Sequence, residues 1–414
     1  VPELEPRVQA TLGLVAVGVM FDNYDLALLN AALKQIAESL AIAPGDTGWF
    51  LAAIRLGGLG TFALVPVADR VGRRRVFLAA LVGMSVGTLA SGLAPTAAAF
   101  VLCQIATRAC LLTVSALAVV FLVEELPAAH RGWGIGVLTL MGGLGYGLGA
   151  ALYAAVDLLP FGWRTLYAAG FLPAALLPLF RRELRETRRF EGERAARGGA
   201  PGGGLLAYFA SVASLVRGER RRALGIGLAG GLGAMGGLAF YQYASYFAQA
   251  VHGWAPGHYS ALVLGGGFVG VAGSVVGGRA ADRVGRRKLG LGALLLAPAA
   301  AALYYQGPGW ALPLGFAGFV FFASAGDVVV RAMSGELFPT DRRGAATGWL
   351  ILVQTAGFAL GLALVGLGTR EAADLSASVP FVSLALAAGG LSLLLLPETG
   401  RRELEAISPP QRGA

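Results

Sequence analysis

Ala68-Asp69-Arg70-Val71-Gly72-Arg73-Arg74 returns as Ala281-Asp282-Arg283-Val284-Gly285-Arg286-Arg287, seven identical residues displaced by 213 positions. A second set of matches has nearly the same spacing. Glu124, Pro127, Arg131-Gly132 and Gly136 are echoed by Glu336, Pro339, Arg343-Gly344 and Gly348, each offset by 212. Two separate matches at almost one spacing make one half of the chain a copy of the other. Where such repeats are membrane bundles, a binding site lies near the bilayer midplane between them.

The background of the repeat is membrane-grade. Of the 414 residues 56% are hydrophobic and 14% charged, and mean hydropathy is +0.66. Charges gather in short islands between apolar stretches long enough to cross a bilayer as helices. Glycine is abundant, at 63 residues, and runs such as Gly57-Gly58-Leu59-Gly60 and Gly142 to Gly149 fall inside apolar segments. That placement fits helices that approach closely in lipid.

Apolar segments bounded by charge or by Pro/Gly breaks predict about twelve spans. They cover residues 8–32, 46–68, 76–93, 97–122, 133–156, 165–180, 223–250, 259–278, 289–306, 310–335, 344–368 and 378–396. The predicted fold class is an all-α membrane protein of two pseudo-symmetric six-helix bundles. Residues 1–180 form the first bundle, 181–222 a linker, 223–400 the second bundle and 401–414 a tail. Of the 33 basic residues, only Lys34, Arg164 and Arg370 fall in the loops opposite the arginine-rich ones, and Arg55, Arg108 and Arg331 lie within spans. By the positive-inside rule both termini and the linker are cytoplasmic. This bias accounts for the net charge of +9, so no nucleic-acid partner is read from it; anionic headgroups suffice.

The linker is charged from Arg181 to Arg197 and Gly/Pro-rich from Gly198 to Gly204, with a short surface helix expected from Leu205 to Val216. It reads as a solvated tether. Cys103 and Cys110 lie two helical turns apart, about 10.5 Å, too far to bridge. No metal-ligand spacing is present, and no metal or cofactor is expected. The first span carries two aspartates and exceeds a signal peptide's core, so it is read as retained.

Asp69-Arg70-Val71-Gly72-Arg73-Arg74, with its counterpart from Asp282 to Arg287, resembles the loop signature of the major facilitator superfamily. The glycine usual four residues before the aspartate is present as Gly278 but is Val65 in the first half. Glu336-Leu337-Phe338-Pro339 with Arg343-Gly344, and Pro397-Glu398-Thr399-Gly400, resemble signatures of its sugar-porter and metabolite-symporter branches. The resemblance covers essentially the whole chain and implies fold more than substrate. Asp69 and Asp282 are carboxylates at a span end, where a neighbouring helix N-terminus can hold them. Arg73, Arg74, Arg286 and Arg287 are candidates to pair with Glu124, Glu336 or Glu398 as a gate. Topogenic charge without a gating role is the alternative.

Function is read from six ionisable residues in predicted spans: Asp22, Asp25, Arg55, Arg108, Asp327 and Arg331. Each costs about 2.5–3.5 kcal/mol on insertion scales, which marks it as a candidate site residue. Asp22 and Asp25 share one helical face. Two close carboxylates in low dielectric do not both ionise readily, so one is expected to carry a proton; the alternative is that either is a helix-packing partner of Arg55 or Arg108. The first-span Asp-x-x-Asp also resembles the motif of proton-coupled symporters of organic acids, aromatic acids and phosphate. Arg108 stays charged and needs an aspartate or an anionic substrate as partner. The superfamily's glycines after such an arginine are absent, since Ala109-Cys110-Leu111-Leu112 follow. Arg55 extends this cluster or faces the opposite rim. Asp327 and Arg331, at i and i+4, are either an intrahelical pair or functional, with Asp327 a candidate for proton coupling and Arg331 for substrate binding. The offset maps Asp22, Asp25 and Arg108 near Ala234, Gly237 and Val320, so the charges are not repeated. Span seven offers Tyr241, Gln242, Tyr243 and Tyr246 as substrate contacts or as an outer aromatic belt.

These residues predict a membrane protein of the cell membrane that carries a small organic anion together with protons by alternating access. Its partners are that substrate, protons and the bilayer, and a monomer is the expected form. Proton-coupled exchange or export of organic cations or drugs is the alternative, followed by sugar–proton symport and by a sensor that keeps the fold without transport. No catalytic constellation or nucleotide-binding loop is present, so no enzyme is expected.

Overall fold

The computed structural model describes residues 5–127, 130–187, 189–192, 205–339 and 342–400. The linker's glycine-rich stretch, the tail from Arg401 and the side chain of Arg343 lie outside the described residues. Among the described residues the chain is helical throughout, and eleven helices are long and apolar enough to cross a membrane. They are span one (Pro6–Ala31), two (Pro44–Val71), three (Arg73–Leu93), four (Ala97–Glu125), five (Arg131–Tyr153), seven (Arg220–Ala250), eight (Pro256–Val284), nine (Arg286–Gln306), ten (Gly309–Glu336), eleven (Gly344–Leu367) and twelve (Ala372–Leu395). The expected linker helix is also present, as Leu205–Gly218. The chain is a multi-pass membrane protein.

Span six forms in pieces: Trp163–Ala169, Leu172–Ala175 and Leu177–Glu183. Pro173 and Pro178 sit in the first turns of the second and third pieces. A proline there lacks an N–H that would be unpaired anyway, whereas inside one continuous helix it would remove a ladder bond. Residues 163–183, at about 1.5 Å each, still reach about 30 Å, a hydrocarbon thickness.

The repeated glycine of the loop motif has a backbone cause. Gly72 and Gly285 have φ of +116° and +106°, a region that side chains disfavour. Each ends one span and opens the next after a single residue, leaving the start of spans three and nine bare at Arg73 and Arg286.

By packing, the chain divides into a unit of residues 1–41 and 53–205 and a unit of residues 42–52 and 206–414. In the first, span one lies between spans four and five. Gly145 of span five faces the Met20 carbonyl, where any Cβ would collide, and a Cβ at Gly149 would sit 2.8 Å from Ala27 Cβ. This close seating, the small-residue packing expected in lipid, buries Asp22 and Asp25. In the second unit an aromatic cluster holds span seven to nine and ten. Phe240 and Phe319 stack at 3.7 Å between centroids, and the hydroxyls of Tyr304 and Tyr305 each donate at 2.8 Å to the carbonyls of Ala244 and Phe240. Cys103 and Cys110 are free thiols.

Candidate functional site

Four ionisable side chains meet inside the first unit. Asp25 is 1% exposed and Arg108 4%, and Asp22 and Arg55 are also buried. Thr88 of span three donates to Asp25 Oδ1 at 3.2 Å. Arg108 Nη2 stands 3.7 Å from Asp25 Oδ2, beyond hydrogen-bond length. Asp25 Oδ2 and Arg108 Nε and Nη2 have no hydrogen-bond partner among the described residues. Asp22 accepts from Ser115 Oγ at 2.5 Å. Arg55 lies within electrostatic range of Asp22, Asp25, Arg108 and Tyr146. It therefore joins the cluster and does not face the opposite rim. The set holds two carboxylates and two guanidiniums.

In the second unit Asp327 and Arg331 pair along span ten, Nε to Oδ2 at 2.6 Å, with side chains 47% and 66% exposed. Although they lie within a span, they open onto a cavity of about 1050 Å³ with Tyr241, Ser274, Ser324 and Gln354. Polar groups facing such a cavity escape the cost of lipid. Of the span-seven candidates Tyr241 lines this cavity, whereas Gln242, Tyr243 and Tyr246 are buried in the unit's packing. An exposed aromatic belt is therefore not what these three form.

The loop charges form the same network twice. In the first unit Arg73 pairs with Glu124 at 2.8 Å and with Asp69 at 3.5 Å. In the second, Arg286 pairs with Glu336 and, at 3.7 Å, with Asp282. Neither Arg74 nor Arg287 pairs with a carboxylate through its side chain among the described residues; Arg74 donates to the carbonyls of Leu184 and Arg181, each at 2.6 Å. Their backbone N–H groups instead meet Glu186 and Glu398. Glu186 accepts from Arg74 N at 3.2 Å, and Glu398 from Arg286 N at 2.8 Å and Arg287 N at 3.1 Å. A carboxylate thus meets the positive end of each exposed helix start. Partial burial pushes the Glu398 carboxyl up, but the N–H groups of Gly400, Arg286, Arg287 and Thr399 prevail and hold it below the usual glutamate range. One bond is not repeated. Thr187 Oγ1 donates to Glu124 Oε2 at 2.6 Å, whereas Thr399 Oγ1 and Glu336 Oε2 have no hydrogen-bond partner among the described residues.

A family model described as the Major Facilitator Superfamily matches residues 15–322 and 244–412. The chain belongs to the major facilitator superfamily. This is a family of transporters, not enzymes. A gallate transporter of Pseudomonas putida is 32% identical over 181 residues, 43% of this chain and 40% of that one. A niacin transporter of Acinetobacter baylyi is 31% identical over 164 residues, 39% of this chain and 37% of that one. The chain thus spans about two fifths of the length of these curated relatives. The inward-open xylose transporter of E. coli superposes with a TM-score of 0.76 at 17% identity, covering 97% of this chain and 99% of that one. At that identity the likeness is one of fold.

Within this superfamily fold, sequence reading missed the uncharged partners Thr88, Ser115 and Thr187 and the carboxylate of Glu186. Signals for them existed. Ser115 follows Arg108 by seven residues and Gln104 precedes it by four, so the three share one face of span four. Glu186-Thr187 and Glu398-Thr399 are a third match at an offset of 212, hidden because their flanks differ. Among the described residues no group of three or more His, Cys, Asp or Glu could hold a metal ion.

Proposed function

We propose that the protein is a secondary transporter that carries a small organic carboxylate together with a proton. Arg108 would bind the carboxylate and Asp25 the proton. The observation that carries this reading is the loose Asp25–Arg108 pair. Leaving a buried donor or acceptor unpaired costs about 1–3 kcal/mol, and here Asp25 Oδ2 and Arg108 Nη2 are two such atoms, 3.7 Å apart, with Arg108 Nε a third. A carboxylate from outside can take both free Arg108 donors in the planar geometry that guanidinium favours. Arg108 would then face two anions. Protonating Asp25 restores neutrality, so the cluster is balanced when empty or when loaded with both substrate and proton. With only one bound, an unpaired charge would cross the bilayer at about 2.5–3.5 kcal/mol, roughly a hundredfold penalty. Coupling follows from that penalty.

Asp22 and Arg55 supply the surrounding balanced charge, and Asp327, Arg331 and Tyr241 line a cavity of the second unit's own. The paired loop networks are candidates for the gate that opens and closes at the arginine-rich end, which the positive-inside rule places in the cytoplasm. The relatives named for gallate and niacin support the anion, since both compounds are aromatic carboxylic acids. The hydroxyls and amide of Tyr241, Ser274, Ser324 and Gln354 favour a second reading, sugar–proton symport. Purified protein in liposomes, given an inward proton gradient and labelled carboxylates, sugars and organic cations, separates these readings. Accumulation of a carboxylate supports the first and of a sugar the second. Accumulation of a cation, or uptake indifferent to pH, would sink both.

A further inference from the structure

Span seven opens on Glu219-Arg220-Arg221-Arg222, and these residues line a cavity of about 1320 Å³ with Arg287 and the end of span twelve, Leu394 to Leu396. The cavity lies within the second unit, and four arginines stand in it against one glutamate. Arg222 is engaged by Glu219 at 3.4 Å, and Arg221 Nε donates to the Leu395 carbonyl at 3.1 Å. The guanidiniums of Arg220 and Arg287 make no ion pair or hydrogen bond among the described residues. Beside them Leu394 and Leu395 are each 47% exposed. The groove thus offers two uncommitted forked donors next to an apolar wall at the end of the membrane spans.

The matching place in the first unit is built differently. A cavity of about 870 Å³ is lined there by Arg74, Arg75, Arg182 and Arg185, with Glu186 and Glu191. Two carboxylates face the four arginines, and Arg74 is committed to two carbonyls. By the offset of 212, Arg182 and Glu183 stand where Leu394 and Leu395 do, so the leucine wall is missing. Excess positive charge and a leucine wall coincide only in the second unit.

We propose that this groove binds an anionic phospholipid, with Arg220 and Arg287 on the headgroup phosphate and Leu394 and Leu395 against an acyl chain. Arginine forks match phosphate oxygens in geometry as well as charge, and basic pockets between spans at the cytoplasmic leaflet collect anionic headgroups. Free phosphate shares the headgroup's chemistry but has no use for the leucines. A bound lipid would fix the start of span seven, directly after the linker, to the membrane surface.

The test is native mass spectrometry of the full chain in detergent, titrated with phosphatidylglycerol, phosphatidylcholine or inorganic phosphate. Wild type should retain phosphatidylglycerol and bind phosphatidylcholine and phosphate much more weakly. R220A/R287A should weaken phosphatidylglycerol roughly thirtyfold, from about fivefold per surface arginine, while R75A/R185A in the first unit leaves it within about twofold. R220K/R287K, scored beside a thermal unfolding control, should recover most of the binding and so exclude misfolding as the cause. Equal retention of phosphatidylcholine, equal competition by inorganic phosphate, or unchanged binding in R220A/R287A would each overturn the proposal.

Discussion

The first unit buries its charges, and the second leaves its own pair open. Asp25 and Arg108 are 1% and 4% exposed and do not reach hydrogen-bond contact, whereas Asp327 and Arg331 are 47% and 66% exposed and joined at 2.6 Å. The loop networks around Arg73 and Arg286, by contrast, are near copies. A duplicated chain thus kept its turns and helix starts in both halves, where a positive-φ glycine and a bare helix end impose the same need twice. Its buried charges were under no such repeated local constraint and differ between the halves.

The comparison is broken most severely at Arg108. R108A leaves Arg55 as the one remaining cation of the cluster beside two buried carboxylates, which costs about 3–5 kcal/mol and should reduce uptake at least a hundredfold. R108K keeps the charge and most of the stability but loses the planar fork, so uptake stays low. Thermal unfolding in detergent together with liposome uptake checks both. Next in size is G145V, which forces span five off the Met20 carbonyl. The expected cost is about 1–3 kcal/mol, with uptake falling as span one shifts.

A smaller effect belongs to the copied part. E398Q should lose about 0.5–1 kcal/mol at the start of span nine. Because the folded-state carboxyl sits below its unfolded value, its contribution is fully present above about pH 4.3 and disappears as pH falls through the lowered value. Unfolding midpoints measured from pH 7 to pH 3 should therefore converge for wild type and E398Q at the acid end. The smallest effect is expected at the open pair. A double-mutant cycle of D327A and R331A should return a coupling under about 1 kcal/mol, as for other exposed pairs.

Much of this architecture was readable before the structure. Because lipid imposes a similar length on every helix, apolar length and the repeat placed most span ends within three residues, and missed by six at the end of span eight and the start of span twelve. The exception, span six, broke at Pro173 and Pro178, whose effect on continuity a hydropathy count does not register. The charged members of the cluster, Asp22, Asp25 and Arg108, were legible because charge is rare in spans. Their neutral partners were not, since Thr88 and Ser115 look like ordinary small residues until the helices are docked. Exposure of Asp327 and Arg331 was equally hidden, because i, i+4 spacing fixes which residues pair but not whether that face opens on a cavity. Glu186 was missed for another reason: its match to Glu398 survives in only two adjacent residues.

The most direct test of the account is to follow lumenal pH with an entrapped dye while an aromatic carboxylate such as gallate or nicotinate is added to proteoliposomes of wild type, D25N and D22N. Substrate should acidify the lumen in wild type and in D22N, and D25N should exchange substrate without moving protons. Acidification that survives in D25N, or wild-type substrate entry with no proton movement, would contradict the proposed coupling.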